Sequence, residues 1–303
     1  MSVKPALRVL DWNGFEGAAS FTFDDAQPSH IEYWPRLRAT GVRSTWYLSP
    51  GFRQDSAFET TWRQAVADGH EIGGHTATHP HADGLDARLA AEELDGCDRY
   101  IRDELGQARV WTFAYPFGET AWKPFLNHRY LFARTVDDGL VRPGGTQDPL
   151  LLPSYLVQEG DGEAVFRQKL DAAADSRSWQ ILLFHSLTPT AHHWYAGVSA
   201  DSVIGALEHG GRGRVWLDTV VNIGAYWLGA RLLRAAAFRE AGSWSWTLPA
   251  GFPEGRSVLV ETNGVLFQDG RALGNDRGRF SVSLDAGHLE WRPETATRAN
   301  PPR

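Results

Sequence analysis

Four histidines lie close together in the stretch GHEIGGHTATHPH, which runs from Gly69 to His81. Two of them, His75 and His79, are four residues apart, a spacing that can bring two imidazoles to one ion, as on one face of a helical turn. Two ligands do not make a metal site, so a third must come from elsewhere in the chain. The flanking His70 and His81 are interpreted as structural or exposed.

Short apolar runs alternate with helical patterns over most of the chain. Runs such as AASFTF, RSTWYL, HEIGG, RVWTFA and WQILLF predict strands, and the amphipathic stretches between them predict helices. This alternation favours a parallel sheet with helices outside it, and about seven or eight units over roughly 230 residues fit a βα barrel. An open doubly wound sheet is the alternative, but no Gly-rich phosphate fingerprint follows an early strand.

Polar side chains follow several of the predicted strands. Asp24 and Asp25 come directly after AASFTF, His75 follows HEIGG, and His185 follows WQILLF. Because the chemistry of a βα barrel lies at the C-terminal ends of its strands, these groups are expected to meet at one rim. One carboxylate and two imidazoles with an open remaining position predict a hydrolytic metal site. Taken singly, each residue also fits an ordinary turn, cap or core position.

The same segments resemble the motifs of the polysaccharide deacetylase family, carbohydrate esterase family 4, with its NodB homology domain. Residues 22–25 (TFDD) resemble the first motif and residues 75–79 (HTATH) the second. Residues 115–118 (YPFG) resemble part of the third motif, and residues 183–185 (LFH) the fifth. The resemblance spans residues 18–238 and implies a distorted (β/α)7 barrel of the NodB type that hydrolyses an acetamide or acetyl ester on a sugar.

The resemblance also implies roles for individual residues. Three would bind a divalent metal: Asp25, His75 and His79. Asp24 would be the general base and His185 the general acid, which agrees with the proton chemistry of carboxylates and imidazoles. The backbone N–H of Phe117 is placed to stabilise the oxyanion of the tetrahedral intermediate. The ligand set suits zinc and also cobalt, nickel, manganese or iron. The expected partner is an acetylated oligo- or polysaccharide.

The third and fourth motifs depart from the family pattern. The family usually has an arginine two residues before the motif-three proline, and Ala114 occupies that position here. Asp137 and Asp138 follow the predicted strand YLFARTV without the tryptophan of motif four. Arg134, within that strand, is predicted to supply the missing cation, and an outward-pointing side chain would contradict this. The pattern indicates an atypical branch of the family.

Composition narrows the class of protein. The chain has 303 residues, 42% of them hydrophobic and 22% charged, which is typical of a globular protein. Thirty basic and 37 acidic residues give a net charge of -7, which disfavours nucleic acid as a partner. The single cysteine, Cys97, excludes an internal disulfide and a cysteine-rich metal centre. No membrane span is predicted, and the absence of a signal-like start favours the cytoplasm, with secretion after signal removal as the alternative.

Two domains are predicted, a barrel over residues 1–240 and a small antiparallel β module with a polar tail over residues 241–303. The module shows period-2 alternation with Asn-Gly and Asp-Gly turn signals. It could bind glycan, although packing against the barrel is the favoured role.

Thirteen tryptophans raise the question of sugar stacking. Trp46, Tyr47 and Trp122 lie near predicted strands, and a loop after His185 carries further candidates for a subsite or lid: His192, His193, Trp194 and Tyr195. Core packing is the ordinary interpretation of any single tryptophan.

Four functions remain in competition at this point. The favoured one is metal-dependent removal of N-acetyl groups from a carbohydrate. The others are O-acetyl esterase activity, carbohydrate binding without catalysis, and hydrolysis of a small non-sugar acetamide. The missing motif-three arginine motivates the binding protein, whereas a base and an acid beside the ligand set argue for a hydrolase.

Overall fold

The computed structural model describes residues 5–53, 57–188, 197–239 and 242–294. In chain order the strands are β1 (Leu7–Val9), β2 (Gly17–Asp24), β3 (Thr45–Leu48), β4 (Glu71–Gly74), β5 (Thr112–Ala114), β6 (Phe132–Arg134), β7 (Tyr155–Leu156), β8 (Trp179–Phe184), β9 (Val215–Leu217), β10 (Ser243–Ser245), β11 (Ser257–Thr262), β12 (Val265–Gln268), β13 (Arg271–Ala272), β14 (Asn275–Asp276), β15 (Arg279–Ser283) and β16 (His288–Arg292). The helices are α1 (Pro28–Ala39), α2 (Ala57–Ala67), α3 (Ala87–Asp103), α4 (Lys123–Leu126), α5 (Glu163–Asp175), α6 (Ala200–Gly211) and α7 (Val220–Ala235).

The chain divides into two compact units. One comprises Glu16–Gly224, and the other comprises Met1–Phe15 together with Ala225–Arg303. These units do not coincide with the predicted domains 1–240 and 241–303. The N-terminal strand β1 pairs with β11 along Leu7–Val9. A strand of three residues is too short to be predicted from the sequence, so this pairing was not expected.

The larger unit is a curled parallel sheet with helices around it. Its strand order is β6-β5-β4-β3-β2-β8-β7, with β9 paired to β2. Leu152, three residues before β7, forms an isolated parallel bridge with Arg134 of β6, so the segment that leads into β7 lies beside β6. Every residue of β2 and β8 is buried, as expected of central parallel strands covered on both faces. The predicted distorted (β/α)7 barrel is confirmed.

Aromatic side chains fill much of the core of this unit. Trp46 stacks on Phe23 with ring centroids 4.2 Å apart and also contacts Trp34 and Trp62. Trp46, Tyr47 and Trp122 are completely buried. They stabilise the barrel by burying large apolar surfaces, and they offer no face to a sugar. The loop candidates His192, His193, Trp194 and Tyr195 lie outside the described residues.

The smaller unit contains two antiparallel sheets, with the orders β1-β11-β15-β14 and β10-β16-β12-β13. Alternate residues of β11, β15 and β16 are buried, which confirms the period-2 prediction for this region. Asp269 and Gly270, both with positive φ, join the paired strands β12 and β13 as a two-residue hairpin turn. The other turn signal, Asn263-Gly264, connects strands of different sheets. The predicted polar tail begins at Glu294, and all of it beyond that residue lies outside the described residues.

Within the described part of the chain, no helix has the length and apolarity needed to cross a membrane.

Candidate active site

The predicted site residues lie at or just beyond the C-terminal ends of the barrel strands. Asp24 is the last residue of β2 and Arg134 the last of β6, while His75 directly follows β4 and His185 directly follows β8. One cavity of about 250 Å³ is lined by six of the seven: Asp24, Asp25, His75, His79, Phe117 and His185. Arg134 lies buried behind Asp24. Distant segments therefore meet at one rim because the strands run parallel.

Two larger depressions, of about 630 and 550 Å³, lie elsewhere on the same unit. Ion-paired surface residues such as Glu163 and Arg167 contribute to the larger one. Among the described residues, the convergent set of candidate metal ligands lines the smaller cavity instead. The chemistry of the side chains, and not the size of the depression, therefore locates the candidate site.

Several residues around the cavity have backbone conformations that side chains other than glycine rarely adopt. Positive φ angles occur at Asp25 (69°), Thr76 (65°), His79 (57°) and Phe117 (55°). Each costs on the order of 1 kcal/mol and persists only where surrounding contacts enforce it. Such strained conformations cluster at functional sites, where they give side chains directions that a regular helix or strand would not allow.

The loop after β4 shows how the sequence brings its two histidines together. Residues 75–79 do not form the helical turn that their spacing suggests; His79 has a left-handed conformation instead. The Thr76 hydroxyl accepts the His79 N–H at 3.0 Å, and Thr78 donates twice to the Glu93 carboxylate, at 2.7 and 2.8 Å. These bonds fold the loop so that the ring centroids of His75 and His79 lie 4.6 Å apart.

The three candidate ligand side chains converge on one point. Oδ1 of Asp25 lies 3.3 Å from Nε2 of His75 and 3.5 Å from Nε2 of His79. Metal–ligand bonds of about 2.0–2.1 Å in a tetrahedral zinc site place ligand atoms about 3.3–3.4 Å apart. Nδ1 of His75 donates to the Ala114 carbonyl at 2.8 Å, and this bond directs Nε2 of the same ring at the Asp25 carboxylate. Two lone pairs then face each other, so a proton or a cation must lie between Nε2 and the carboxylate oxygen. The residues therefore fit a divalent metal.

Electrostatics around these ligands follow from burial and from their mutual charges. Burial alone would raise the pKa of Asp25, but His75, hydrogen-bonded to it, and the other nearby histidines hold that pKa well below its usual range. Burial and the neighbouring His75 lower the pKa of His79 to about 4, so this ring is neutral near pH 7, as a metal ligand must be. For His75, burial opposes protonation, but Asp25 and Asp24 raise its pKa above the usual value.

Asp24 contacts the buried arginine that the sequence singled out. Arg134 Nη2 donates to Oδ2 of Asp24, and the guanidinium lies 5.0 Å from the centroid of the Tyr47 ring. The Arg134 side chain is 0% exposed, so it does not point to solvent. Oδ1 of Asp24 is buried and bonds to no group in the described part of the chain. One carboxylate oxygen is therefore held by the arginine, and the other remains open to a partner.

His185 completes the cavity on the β8 side. Its Nε2 lies 3.8 Å from Oδ2 of Asp25, and burial lowers its pKa. Its backbone carbonyl bonds Nε2 of His30, a buried histidine of α1 that the sequence analysis missed. The local sequence PSHIEYW does not predict that His30 bonds the His185 carbonyl, because the two residues are 155 positions apart.

Phe117 lies in the single 3₁₀ turn Pro116–Gly118 after β5. The residue is 53% exposed and lines the cavity. The turn bonds are Gly118 N–H to Tyr115 O and Glu119 N–H to Pro116 O, whereas the Phe117 N–H donates to no acceptor in the described ranges. An unpaired N–H in a residue that lines the cavity fits the predicted role of oxyanion donor.

Comparison with known proteins agrees with this architecture. Residues 14–127 match the family model described as polysaccharide deacetylase. A gellan lyase from a Bacillus species is 29% identical over 207 residues, which are 61% of this chain and 8% of that protein. The chain thus spans about a twelfth of the length of that relative. A Mycobacterium smegmatis structure assigned to the polysaccharide deacetylases is 17% identical, with a TM-score of 0.54, over 82% of this chain and 99% of that one.

The matched region contains the first two motifs and YPFG, and the fold is that of the similar structure. Over residues 14–127 the chain is therefore similar to the polysaccharide deacetylase family, and Ala114 stands where that family usually has the motif-three arginine.

Proposed function

We propose that this protein is a metal-dependent hydrolase that removes acetyl groups, preferably N-linked ones, from a carbohydrate. The observation that carries the proposal is the convergence of Asp25, His75 and His79 beside two further groups able to move protons, Asp24 and His185, in one cavity. A divalent metal held by the three ligands would lower the pKa of a water molecule and polarise the acyl oxygen.

The chain's own residues supply the remaining chemistry. Asp24 accepts the proton of the attacking water through its open oxygen Oδ1, while Arg134 holds Oδ2 and keeps the carboxylate oriented. The free Phe117 N–H donates to the oxyanion that develops on the acyl carbon. His185, in the same cavity, gives a proton to the departing amine.

The contact between Arg134 and Asp24 supports a hydrolase over a carbohydrate-binding protein without catalysis. A binder has no use for a buried cation whose contact orients a carboxylate beside a metal site. O-acetyl esterase activity remains the near alternative. The alcohol of an ester leaves more easily than the amine of an amide, so ester hydrolysis depends less on His185.

Acetate release from N-acetylated and O-acetylated oligosaccharides tests the proposal directly. We expect release in the presence of added Zn²⁺ or Co²⁺ and loss of release with chelator. Asp24→Asn is expected to lower the rate roughly 10²–10⁴-fold, because it removes the base. Asp137→Asn, an exposed aspartate three residues beyond Arg134, is the matched control and should leave the rate unchanged.

The substrate panel separates the two linkages. If N-acetyl groups are the natural substrate, His185→Ala should slow amide hydrolysis more than ester hydrolysis. Metal-loaded protein that releases no acetate from any substrate would contradict the hydrolase.

A further inference from the structure

A contact outside the site described above joins two segments. One is the loop after β4, which carries His75 and His79, and the other is the turn that carries Phe117. Glu119, one residue beyond the turn, accepts from His81 Nδ1 at 2.8 Å through Oε1. Its other oxygen, Oε2, accepts the backbone N–H of Ala82 at 2.5 Å. One carboxylate thus holds both a side chain and the backbone of the neighbouring loop, and fastens the two segments together.

His81 is in turn packed on the residue proposed to stabilise the oxyanion. The rings of His81 and Phe117 are stacked, with centroids 3.7 Å apart and an interplanar angle of 10°. His79 meets the same phenyl ring in an edge-on contact, with centroids 4.4 Å apart. Phe117 therefore contacts two histidines of the loop after β4.

The far side of the turn is fixed by a close approach to β6. Gly118 has a φ of 72°, and a Cβ added there would lie 2.5 Å from Cγ2 of Val136, so only glycine fits. Phe117 itself has a left-handed conformation that its own side chain disfavours. A strained residue keeps one conformation only when contacts on both sides enforce it, and here these are Val136 and the stacked His81.

From this arrangement we infer that Glu119 and His81 are positioning residues, which hold the Phe117 N–H at the place where the oxyanion forms. Glu119 bonds His81, His81 stacks on the Phe117 ring, and this stacking limits movement of the turn that carries the Phe117 N–H. Neither Glu119 nor His81 lines the cavity, so neither contacts the reacting atoms. The inference rests on the proposed function, because an oxyanion donor matters only if acyl transfer occurs.

The test is a set of variants measured for kcat, KM, metal affinity and thermal unfolding. Glu119→Ala and His81→Ala should lower kcat for the N-acetyl substrate roughly 10- to 100-fold, because a displaced donor stabilises the transition state less than a fixed one. KM and the Kd for Zn²⁺ should change less than about threefold, since the metal ligands and the cavity walls other than Phe117 stay in place. His81→Phe, which keeps the stacking ring, should recover most of the lost rate in comparison with His81→Ala.

The control is His209→Ala, which removes another exposed histidine that faces an acid, Asp171, at 3.8 Å. It should leave every parameter unchanged. If the unmodified protein is active and both alanine variants keep kcat within twofold, the inference is wrong and the proposed function stands. If metal affinity falls in parallel with kcat, the contact supports the ligand loop and not the oxyanion donor, which also overturns the inference. Inactivity of the unmodified protein would overturn the proposed function and the inference with it.

Discussion

The barrel strands carry buried polar side chains at both ends, and the two ends differ in how these side chains are paired. At the N-terminal ends of β3, β4 and β5, the Glu71 carboxylate accepts from Thr45 at 2.9 Å and from Thr112 at 2.7 Å. It also accepts the backbone N–H of Val221 at 2.9 Å, and Thr45 accepts that of Val220. The first turn of α7 thus has its free N–H groups satisfied by barrel side chains.

At the C-terminal ends, several buried polar atoms have no such partners. Oδ1 of Asp24, and Nε and Nη1 of Arg134, make no hydrogen bond with any group in the described stretches. Left-handed residues such as Asp25 and His79 also lie at this end.

The difference separates stability from function along the same strands. Buried polar groups that are fully paired stabilise a fold, whereas unpaired ones destabilise it unless a ligand or substrate completes them. In a βα barrel the strand C-termini hold the chemistry and the opposite end contributes stability, and the distribution of paired and unpaired polar groups in this chain agrees with that division. We therefore expect substitutions at the two ends to act on different measurable quantities.

The largest expected effect is on catalysis, from removal of the buried cation. Arg134→Met should lower kcat/KM roughly 100-fold, because Asp24 loses the group that holds Oδ2 and the base is no longer oriented. Arg43→Met is the matched change at the opposite end, where Arg43 contacts Asp218 at 2.5 Å, and it should leave kcat/KM unchanged. Steady-state kinetics on the same acetylated substrate compares them. A loss below threefold for Arg134→Met would show that Asp24 needs no cation.

The next effect is on stability, from removal of the carboxylate that closes the N-terminal network. Glu71→Ala should lower the free energy of unfolding by about 3 kcal/mol, since two hydroxyls and a buried N–H lose their acceptor. Activity per folded molecule should not change. Urea unfolding measures this against Glu92→Ala, whose exposed pair with Arg88 should contribute below about 0.5 kcal/mol. If Glu71→Ala lowered turnover per folded molecule without lowering the free energy of unfolding, the proposed separation of stability and function between the two strand ends would be wrong.

The smallest effect concerns pH and the same end of β4. His70, directly before β4, accepts the Ser44 N–H at 3.1 Å, and burial lowers its pKa to about 4, with Arg43 and Arg38 acting in the same direction and Asp68 against it. The folded state therefore keeps this ring neutral, while the unfolded chain binds a proton near pH 6.5. The stabilisation is complete above pH 6.5 and is lost as the pH falls toward 4, about 2 kcal/mol of it between pH 7 and pH 5.

His70→Gln keeps a hydrogen-bond acceptor but cannot titrate. Unfolding measured at several pH values should therefore show the unmodified protein losing about 2 kcal/mol more than the variant over that interval. Parallel pH profiles would mean that His70 is not held neutral in the folded state.

Much of the barrel could be predicted because the local pattern and the final environment agree. The runs around β2 and β8 are continuously apolar, and both strands are central and buried. Asp24, Asp25, His75 and His185 could be placed at one rim because each follows a segment predicted to be a strand. The rule that parallel strands end at a common edge does not depend on side-chain detail.

Contacts between distant segments could not be predicted in the same way. The strand β1 contains only three residues, and its position in the sheet depends on its pairing with β11. Asn263-Gly264 has the composition of a hairpin turn, but the strands it joins belong to different sheets. His81 has the exposure expected of a loop histidine, yet it stacks on Phe117 and bonds Glu119.

The sequence by itself therefore determined the class of fold and the identity of the chemical groups, because hydrophobic periodicity and residue type are local properties. Only the tertiary structure decided which atoms meet. It turned Arg134 inward onto Asp24, brought Nε2 of His75 and of His79 to the same carboxylate oxygen, and buried Trp46 and Trp122 in the core. Such directions depend on backbone angles and on packing between segments up to 110 residues apart, and no local pattern in the chain encodes them.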